Sequence, residues 1–434
     1  MLRVAHPPGY GAERRYAFDV VLSEFLGLEY ELEEQERRDV EITLAGQPGS
    51  LVAGEGLFAT AEDEWLEPES LPRLPLDRRD GLPVLYGGSS PDVFGSVFFL
   101  LTRYEEVANP ARDEHERFPA EESIAAREGF LDRPLANEYV DLLWGELERR
   151  WPRLERKRRT FRALPSHDVD WPLCTRSTLK LAARAAAGDV VRRRDPALAV
   201  KQLRAFSETK RGGHAHDPCD TFDLIMDGSE RRGLRSAFYF IAGHTAGEVD
   251  GTYSLDDPWI RALLRRIHER GHEIGLHPSY NTFRDGEATS AELAALRRVC
   301  EEEGIAEPVR GGRQHYLRWE SPTTWQIWQD AGLEYDSSLG FAAQPGFRAG
   351  TCYEYPVFNL RTRQPLELRE RPLVVMDRTL LTHQGLGPSR ALEVAAELKR
   401  RCRRHDGDFT LLWHNSLLLT RQERRLYESV LDLD

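Results

Sequence analysis

From residue 220 onward one pattern recurs: a capped helix, a glycine, a short apolar strand. Asp257 precedes Pro258, which suits the first helical position. Ile260, Leu263, Leu264 and Ile267 then follow at i, i+3, i+4 and i+7, a core-facing stripe. Gly271 ends that helix, and "HEIGLH" reads as the strand. Thr289 and Glu292 read as a capping box, with Leu293, Leu296 and Cys300 as the stripe and Gly304 as the stop. Ser321 with Pro322 opens another helix, which Gly332 closes before "LEYDSSL". "TFDLIMDGSERRG" precedes "LRSAFYFIAG", and "SRALEVAAELKRRCRRHDG" precedes "DFTLLWHNS". Helices alternating with short apolar strands require crossover connections and a parallel sheet. The count, about seven strands, predicts an α/β fold of the distorted (β/α) barrel kind.

The first 160 residues read differently. "RYAFDVVLSEFLGLEYEL" predicts a helix and a short strand; "DVEITLAG", "LVAGEGLFAT" and "DGLPVLYG" read as strands. "DVFGSVFFLLTRYEEV" is a strongly apolar helix, and "ANEYVDLLWGELERRW" an amphipathic one. The charged run "ERRWPRLERKRRT" (148–160) marks the expected boundary. A smaller mixed α/β accessory domain, 1–160, is thus expected to precede the barrel, 161–434. A chain of 434 residues exceeds one ordinary core, which agrees with two domains. A segment at about 175–210, containing Arg, Ala and Lys, is expected to be helical and partly exposed, an outside insertion whose basic character would also suit an anionic substrate or membrane surface.

The formal net charge of -13 argues against general nucleic-acid binding, which needs a basic face. No stretch approaches the roughly 20 apolar residues of a membrane helix. The start, "MLRVAHPPGYGAERRY", has no apolar h-region, so a cytoplasmic location is expected. Cys174, Cys219, Cys300, Cys352 and Cys402 are odd in number and widely spread. That spacing predicts reduced thiols and neither a disulfide framework nor a cysteine zinc site.

In parallel α/β folds the C-terminal strand ends carry the chemistry. Polar residues fall there repeatedly. Asp168 and Asp170 stand in "LPSHDVDWP", and His277 ends "HEIGLH". Arg310 and Arg313 end "EPVRGGR", Asp336 follows "LEY", and His414 ends "FTLLWH". Each alone has an ordinary reading: aspartate is a common turn former, and arginine a common surface residue. Five strand ends together predict one shared site.

The order "HDVD", "RGHEIGLH", an Arg-rich strand end, "EYDSS" and "LLWH" resembles the polysaccharide deacetylase (NodB-homology) family, over roughly residues 160–420. The stretch before it resembles an accessory domain found ahead of this barrel in some bacterial members. The resemblance implies a metal-dependent hydrolase that removes N-acetyl groups from acetamido sugars. It assigns Asp168 as base and Asp170 as metal ligand. It makes His277 the first metal histidine and puts Asn281 where the family has its second. That departure matters, because an amide oxygen is a weaker transition-metal ligand than imidazole. Asn281 completes the set, or another group such as His315 or His383 does, or the metal is held poorly or not at all. Arg310 or Arg313 would sit beside the base, Asp336 would hold partner side chains, and His414 would be the catalytic histidine. Tyr316 would lend a backbone N–H to the oxyanion, and Trp413 could stack on a sugar ring.

Amide hydrolysis needs an activated water, a held oxyanion and a proton for the leaving amine. A divalent metal, zinc above all, with nickel and cobalt as substitutes, would lower the pKa of a water to about 7. The expected partner is a carbohydrate, a nucleotide- or lipid-linked precursor for the cell envelope. Two other readings use the same residues. One is a hydrolase of small cyclic amides or ureides, since such barrels host several chemistries. The other is a carbohydrate-binding protein with a degenerate metal site.

Overall fold

The computed structural model describes residues 1–87, 90–174, 179–191, 194–209, 213–214 and 216–432. Part of the expected 175–210 helical segment, namely 175–178, 192–193 and 210, lies outside the described residues. The chain divides into two compact units. The first comprises Met1–Arg162, Leu317–Val374 and Arg400–Phe409; the second comprises Ala163–Tyr316, Val375–Lys399 and Thr410–Asp434. The division passes close to residue 160, but it is not a single cut.

In the first unit, strand Leu2–His6 runs parallel to Tyr30–Glu34 and antiparallel to Val40–Leu44, which pairs antiparallel with Ser50–Ala53. The strands read from "DVEITLAG" and "LVAGEGLFAT" are therefore present. The apolar helix is Val93–Leu101, every residue buried, and Asp92 caps it by accepting the Gly95 N–H. It stops at Arg103, whose φ of 55° ends helical hydrogen bonding. The amphipathic helix spans Leu135–Arg150. From the later segments this unit takes helix Thr323–Asp330, strand Tyr335–Asp336 and the antiparallel pair Tyr355–Asn359 with Gln364–Glu370. That pair departs from an all-parallel expectation. Trp319, Trp325 and Trp328 are fully buried core residues.

In the second unit the strands lie in the order Gly311–Gly312, Glu273–Leu276, Ala237–Phe240, Arg162–Val169, Asp408–Leu412 and Val375–Met376. The registered neighbours here run parallel. The end strands of this series are not neighbours, so the unit holds an open parallel sheet rather than a closed barrel. Helix Pro258–Glu269 buries Ile260, Leu263, Leu264 and Ile267 as the spacing predicts. Burying four such side chains is worth on the order of 6–12 kcal/mol against leaving them in water. Asp257 turns its carboxylate back to the Ser254 N–H and does not cap the helix.

Helix Gly286–Glu302 begins one turn earlier than its apparent capping box, because Asp285 caps it by accepting the Ala288 N–H. Thr289 and Glu292 are buried inside that helix. The Gly311–Gly312 strand runs very close to Glu273–Leu276. A Cβ on Gly312 would lie 1.7 Å from the Leu276 carbonyl oxygen. Only glycine allows the approach that sets Arg313 at the strand end. No helix among the described residues is long and apolar enough to cross a membrane.

Candidate metal and acid–base centre

Parallel register brings the strand ends of the second unit together. Asp168 pairs with Tyr239, Tyr239 with Gly275, and Gly312 with Leu276. Asp168 and Asp170 are two residues apart at one strand end, so both reach the same side. His277 continues from Leu276, its N–H donating to the Phe240 carbonyl at 2.8 Å.

Asp170 is the hub. Its Oδ1 lies 3.3 Å from His277 Nε2 and 3.7 Å from His315 Nε2. Its Oδ2 lies 3.6 Å from His414 Nε2 and 3.9 Å from Arg378 Nη2. Oδ1 is buried and takes no hydrogen bond among the described residues. Burial alone would raise the Asp170 pKa. The His277 contact and the positive fields of His315 and His414 outweigh it and hold the carboxyl well below the usual range.

Each imidazole is oriented by a bond to its other nitrogen. His277 Nδ1 donates to the Arg313 carbonyl at 2.6 Å. His315 Nδ1 bonds Asp250 Oδ1 at 2.9 Å. His414 Nδ1 bonds Asp377 Oδ1 at 2.7 Å. A proton on Nδ1 leaves the Nε2 lone pair free to bind a metal, the arrangement in which metal-binding histidines are normally held; only a ring carrying a second proton can donate from Nε2. The Asp250 carboxyl is lowered: burial would raise it, but the His315 bond and the Ala246 and Tyr280 N–H groups prevail.

Asp170, His277 and His315 could hold a metal ion, their donor atoms lying within 4.8 Å of one another. Ligands about 2.1 Å from a tetrahedral ion sit roughly 3.4 Å apart. The 3.3 and 3.7 Å separations of Asp170 from the two imidazoles lie close to that figure. The mixed carboxylate and imidazole set suits a borderline divalent cation.

Asp168 stands beside this set. Arg313 Nη1 donates to its Oδ1 at 2.9 Å, while Oδ2 faces His277 Nε2 at 3.7 Å. Arg313 Nη2 donates to Ser166 Oγ, so the guanidinium is held at both ends of its fork. Tyr316 adjoins His315 at 4.8 Å between ring centroids, with a left-handed φ of 60° and an exposed side chain.

The structure therefore brings Asp168, Asp170, His277, Arg313, Tyr316 and His414 into one cluster. Four expected residues fall elsewhere. Asn281 is exposed and donates its amide to the Thr245 carbonyl, and His315 stands with Asp170 and His277 in its stead. A degenerate metal site drew its support from Asn281 and loses it here. Arg310 is exposed, whereas Arg313, on the far side of the two glycines, meets Asp168. Asp336 lies in the first unit, where its Oδ1 accepts the Ser338 N–H. The carboxylate on His414 is that of Asp377. Trp413 is fully buried against Tyr427, so it offers no ring face to a sugar.

His272 is structural, its Nδ1 accepting the Ser236 N–H. His383 is exposed and outside the cluster.

Three contributors escaped the sequence reading. Asp377 follows "PLVVM", an apolar run ending in an acid, the same signal that marked the other strand ends. Asp250 stands ten residues beyond its strand, in "AGEVDG", where no local pattern marks it. Glu292 accepts the Ser279 N–H at 2.9 Å and thereby holds the turn after His277. The cysteine expectation also changes. Cys174 and Cys219 form a disulfide, with 5.3 Å between their Cα atoms, within the usual range. Cys300, Cys352 and Cys402 are free and buried.

Residues 2–152 match the profile of a family of unknown function, DUF7033. No curated protein matches the chain. Among solved structures, it is similar to a Mycobacterium smegmatis protein described as a polysaccharide deacetylase. That match has 18% identity and a TM-score of 0.40, covering 63% of this chain and 82% of that one. It is similar to the Puue allantoinase at 12% identity and a TM-score of 0.37, covering 62% and 82%. A third match is the Xyl-CE4 domain of a multidomain xylanase from the hindgut metagenome of Trinervitermes trinervoides. It has 11% identity and a TM-score of 0.30, covering 63% and 82%.

Proposed function

We propose that this chain is a divalent-metal-dependent hydrolase of carbon–nitrogen bonds that removes acetyl groups from acetamido sugars. One observation carries the reading. Around Asp170 stand two imidazoles presenting Nε2, a third backed by a carboxylate, and a second aspartate held by arginine.

Asp170, His277 and His315 would hold the metal, with zinc, nickel or cobalt all compatible with this donor set. When bound there, the metal supplies Lewis acidity toward a water and a carbonyl oxygen. Asp168 takes the proton of the attacking water at Oδ2, while Arg313 fixes Oδ1. His414 stands against Oδ2, the other oxygen of Asp170, and, once protonated, donates from Nε2 to the departing amine. Burial lowers the pKa of His414, but Asp377, with Asp170 beside it, outweighs this, so the pKa is raised and the protonated ring favoured. The Tyr316 N–H steadies the oxyanion. The sugar preference rests on the motif order around residues 160–420, and a nucleotide- or lipid-linked saccharide is the natural substrate class.

The test combines metal analysis with acetate release from N-acetylglucosamine conjugates, run beside allantoin-like amides. Stoichiometric metal, lost in Asp170→Ala, together with acetate release supports the reading. Metal with turnover of the ureides alone overturns the sugar assignment. Protein that binds no divalent metal overturns the whole proposal.

A further inference from the structure

Between Cys174 and Cys219 the chain leaves the rim of the Asp170 cluster and returns to it. Cys174 is four residues beyond Asp170, and the disulfide closes the segment's base. Asn415, next to His414, donates to both the Trp171 and Cys219 carbonyls at 2.9 Å. The base is thus tied directly to the site.

The segment carries two helices, Leu179–Val191 and Pro196–Thr209, packed on each other. Their inner sides bury Ala182, Ala186, Leu198, Ala199 and Ala205. Their outer sides are also apolar. Leu179 is 63% exposed, Val190 47%, Val191 74%, Val200 51% and Leu203 43%. Exposed Ala183 and Ala187 fall between Leu179 and Val190–Val191, so one helix shows a continuous outward stripe at i, i+4, i+8 and i+11. Five of the ten exposed large hydrophobics among the described residues lie on these two helices.

The charges are equally one-sided. Arg184, Arg194 and Arg204 are exposed here. Asp189 is buried, and Asp195 and Glu208 are half-buried. Exposed apolar and cationic side chains gathered on one helical segment of a chain of net charge -13 are a local inversion of the molecule's character. A helix meant for water alone carries polar residues on its outer side. A twofold contact between copies would set these arginines against each other. An anionic bilayer surface answers both features, taking the valines and leucines into its interface and the arginines onto its phosphates.

We propose that this helical pair docks on an anionic membrane surface. If the hydrolase reading also holds, the docked site faces substrates anchored in that membrane, so the substrate is a lipid-linked acetamido sugar; that consequence alone rests on the proposed function.

The experiment is co-sedimentation of the full chain with vesicles of equal parts phosphatidylglycerol and phosphatidylethanolamine, against phosphatidylcholine vesicles. Binding is expected to the first, weak to the second, and reduced by salt. Each of Arg184→Gln, Arg194→Gln and Arg204→Gln should weaken it about fivefold. Val191→Asp and Leu203→Asp should each weaken it about tenfold or more. These are exposed positions, and unchanged circular dichroism checks that the variants fold. Absence of vesicle binding overturns the proposal. So does binding indifferent to V191D and L203D, or concentration-dependent self-assembly that those substitutions abolish. Vesicle binding without acetate release would sink only the hydrolase reading; acetate release without vesicle binding would sink only this one.

Discussion

Asp377 holds His414 twice: Oδ1 bonds the ring Nδ1 at 2.7 Å, and Oδ2 accepts the His414 backbone N–H at 2.6 Å. One carboxylate therefore sets the backbone, the ring orientation and the charge of this histidine. Asp377→Asn keeps the shape and removes the charge. Hydrolysis is expected to fall about a hundredfold or more. Asp377 opposes the lowering of the His414 pKa by burial, so its removal lets that pKa drop. A general acid must be protonated, so the alkaline limb of the pH–rate profile should move to lower pH. A limb that stays in place would show that His414 is not the acid.

The metal is expected to follow His315 and to ignore Asn281. His315→Ala should empty the protein of divalent metal, while Asn281→Ala should leave its content unchanged. Asp250→Asn, which weakens the support of His315, should cost about 10–100-fold in metal affinity. Elemental analysis after dialysis reads all three. Equal loss in the His315 and Asn281 variants would contradict the assignment.

His167 gives a pH-dependent stability. Burial drives its pKa from 6.5 down to about 3, because the ring is enclosed between Trp413, Ser236 and Tyr427. Below pH 6.5 the unfolded chain takes up a proton that the folded chain refuses. This contribution is complete above 6.5 and is lost as pH falls toward 3, by about 1.4 kcal/mol per pH unit. Urea unfolding from pH 7 to pH 4 should show a shallower loss for His167→Gln than for the unaltered chain. Parallel curves would remove this histidine from the account.

The Cys174–Cys219 bridge spans a sequence separation of 45 residues. By loop-closure entropy it should contribute on the order of 3–4 kcal/mol. Cys219→Ser and treatment with reductant should each lower the melting temperature, and the two should not add. A melt indifferent to reductant would mean that the bridge does not form in solution.

The parallel α/β core was legible because its causes are local. Helix caps, the 3.6-residue stripe of Ile260 to Ile267 and short apolar strands each act within a dozen residues. The strand-end rule then located Asp168, Asp170, His277, Arg313 and His414, because parallel strands deliver their ends to one side. The same rule misled at Asp336. It tells which residues end strands, not which partner each side chain takes: Asp336 accepts from its own turn, at the Ser338 N–H, while Asp377 takes His414.

Periodicity by itself determined the helices and most of the strands, while polar residues at strand ends and the order of the motifs marked the principal donors. Only the tertiary structure decided which donors meet. His315 replaces Asn281 because a left-handed turn at Tyr316 and the Asp250 carboxylate, 65 residues away in sequence, set its ring. Asp377 rather than Asp336 reaches His414, because Val375–Met376 pairs with the strand that ends before it. The cysteines pair because chain ends 45 residues apart return to one rim. Local pattern records what each residue prefers. Contact between distant residues depends on strand order and on the route of the connecting loops, and neither is written in any short window of sequence.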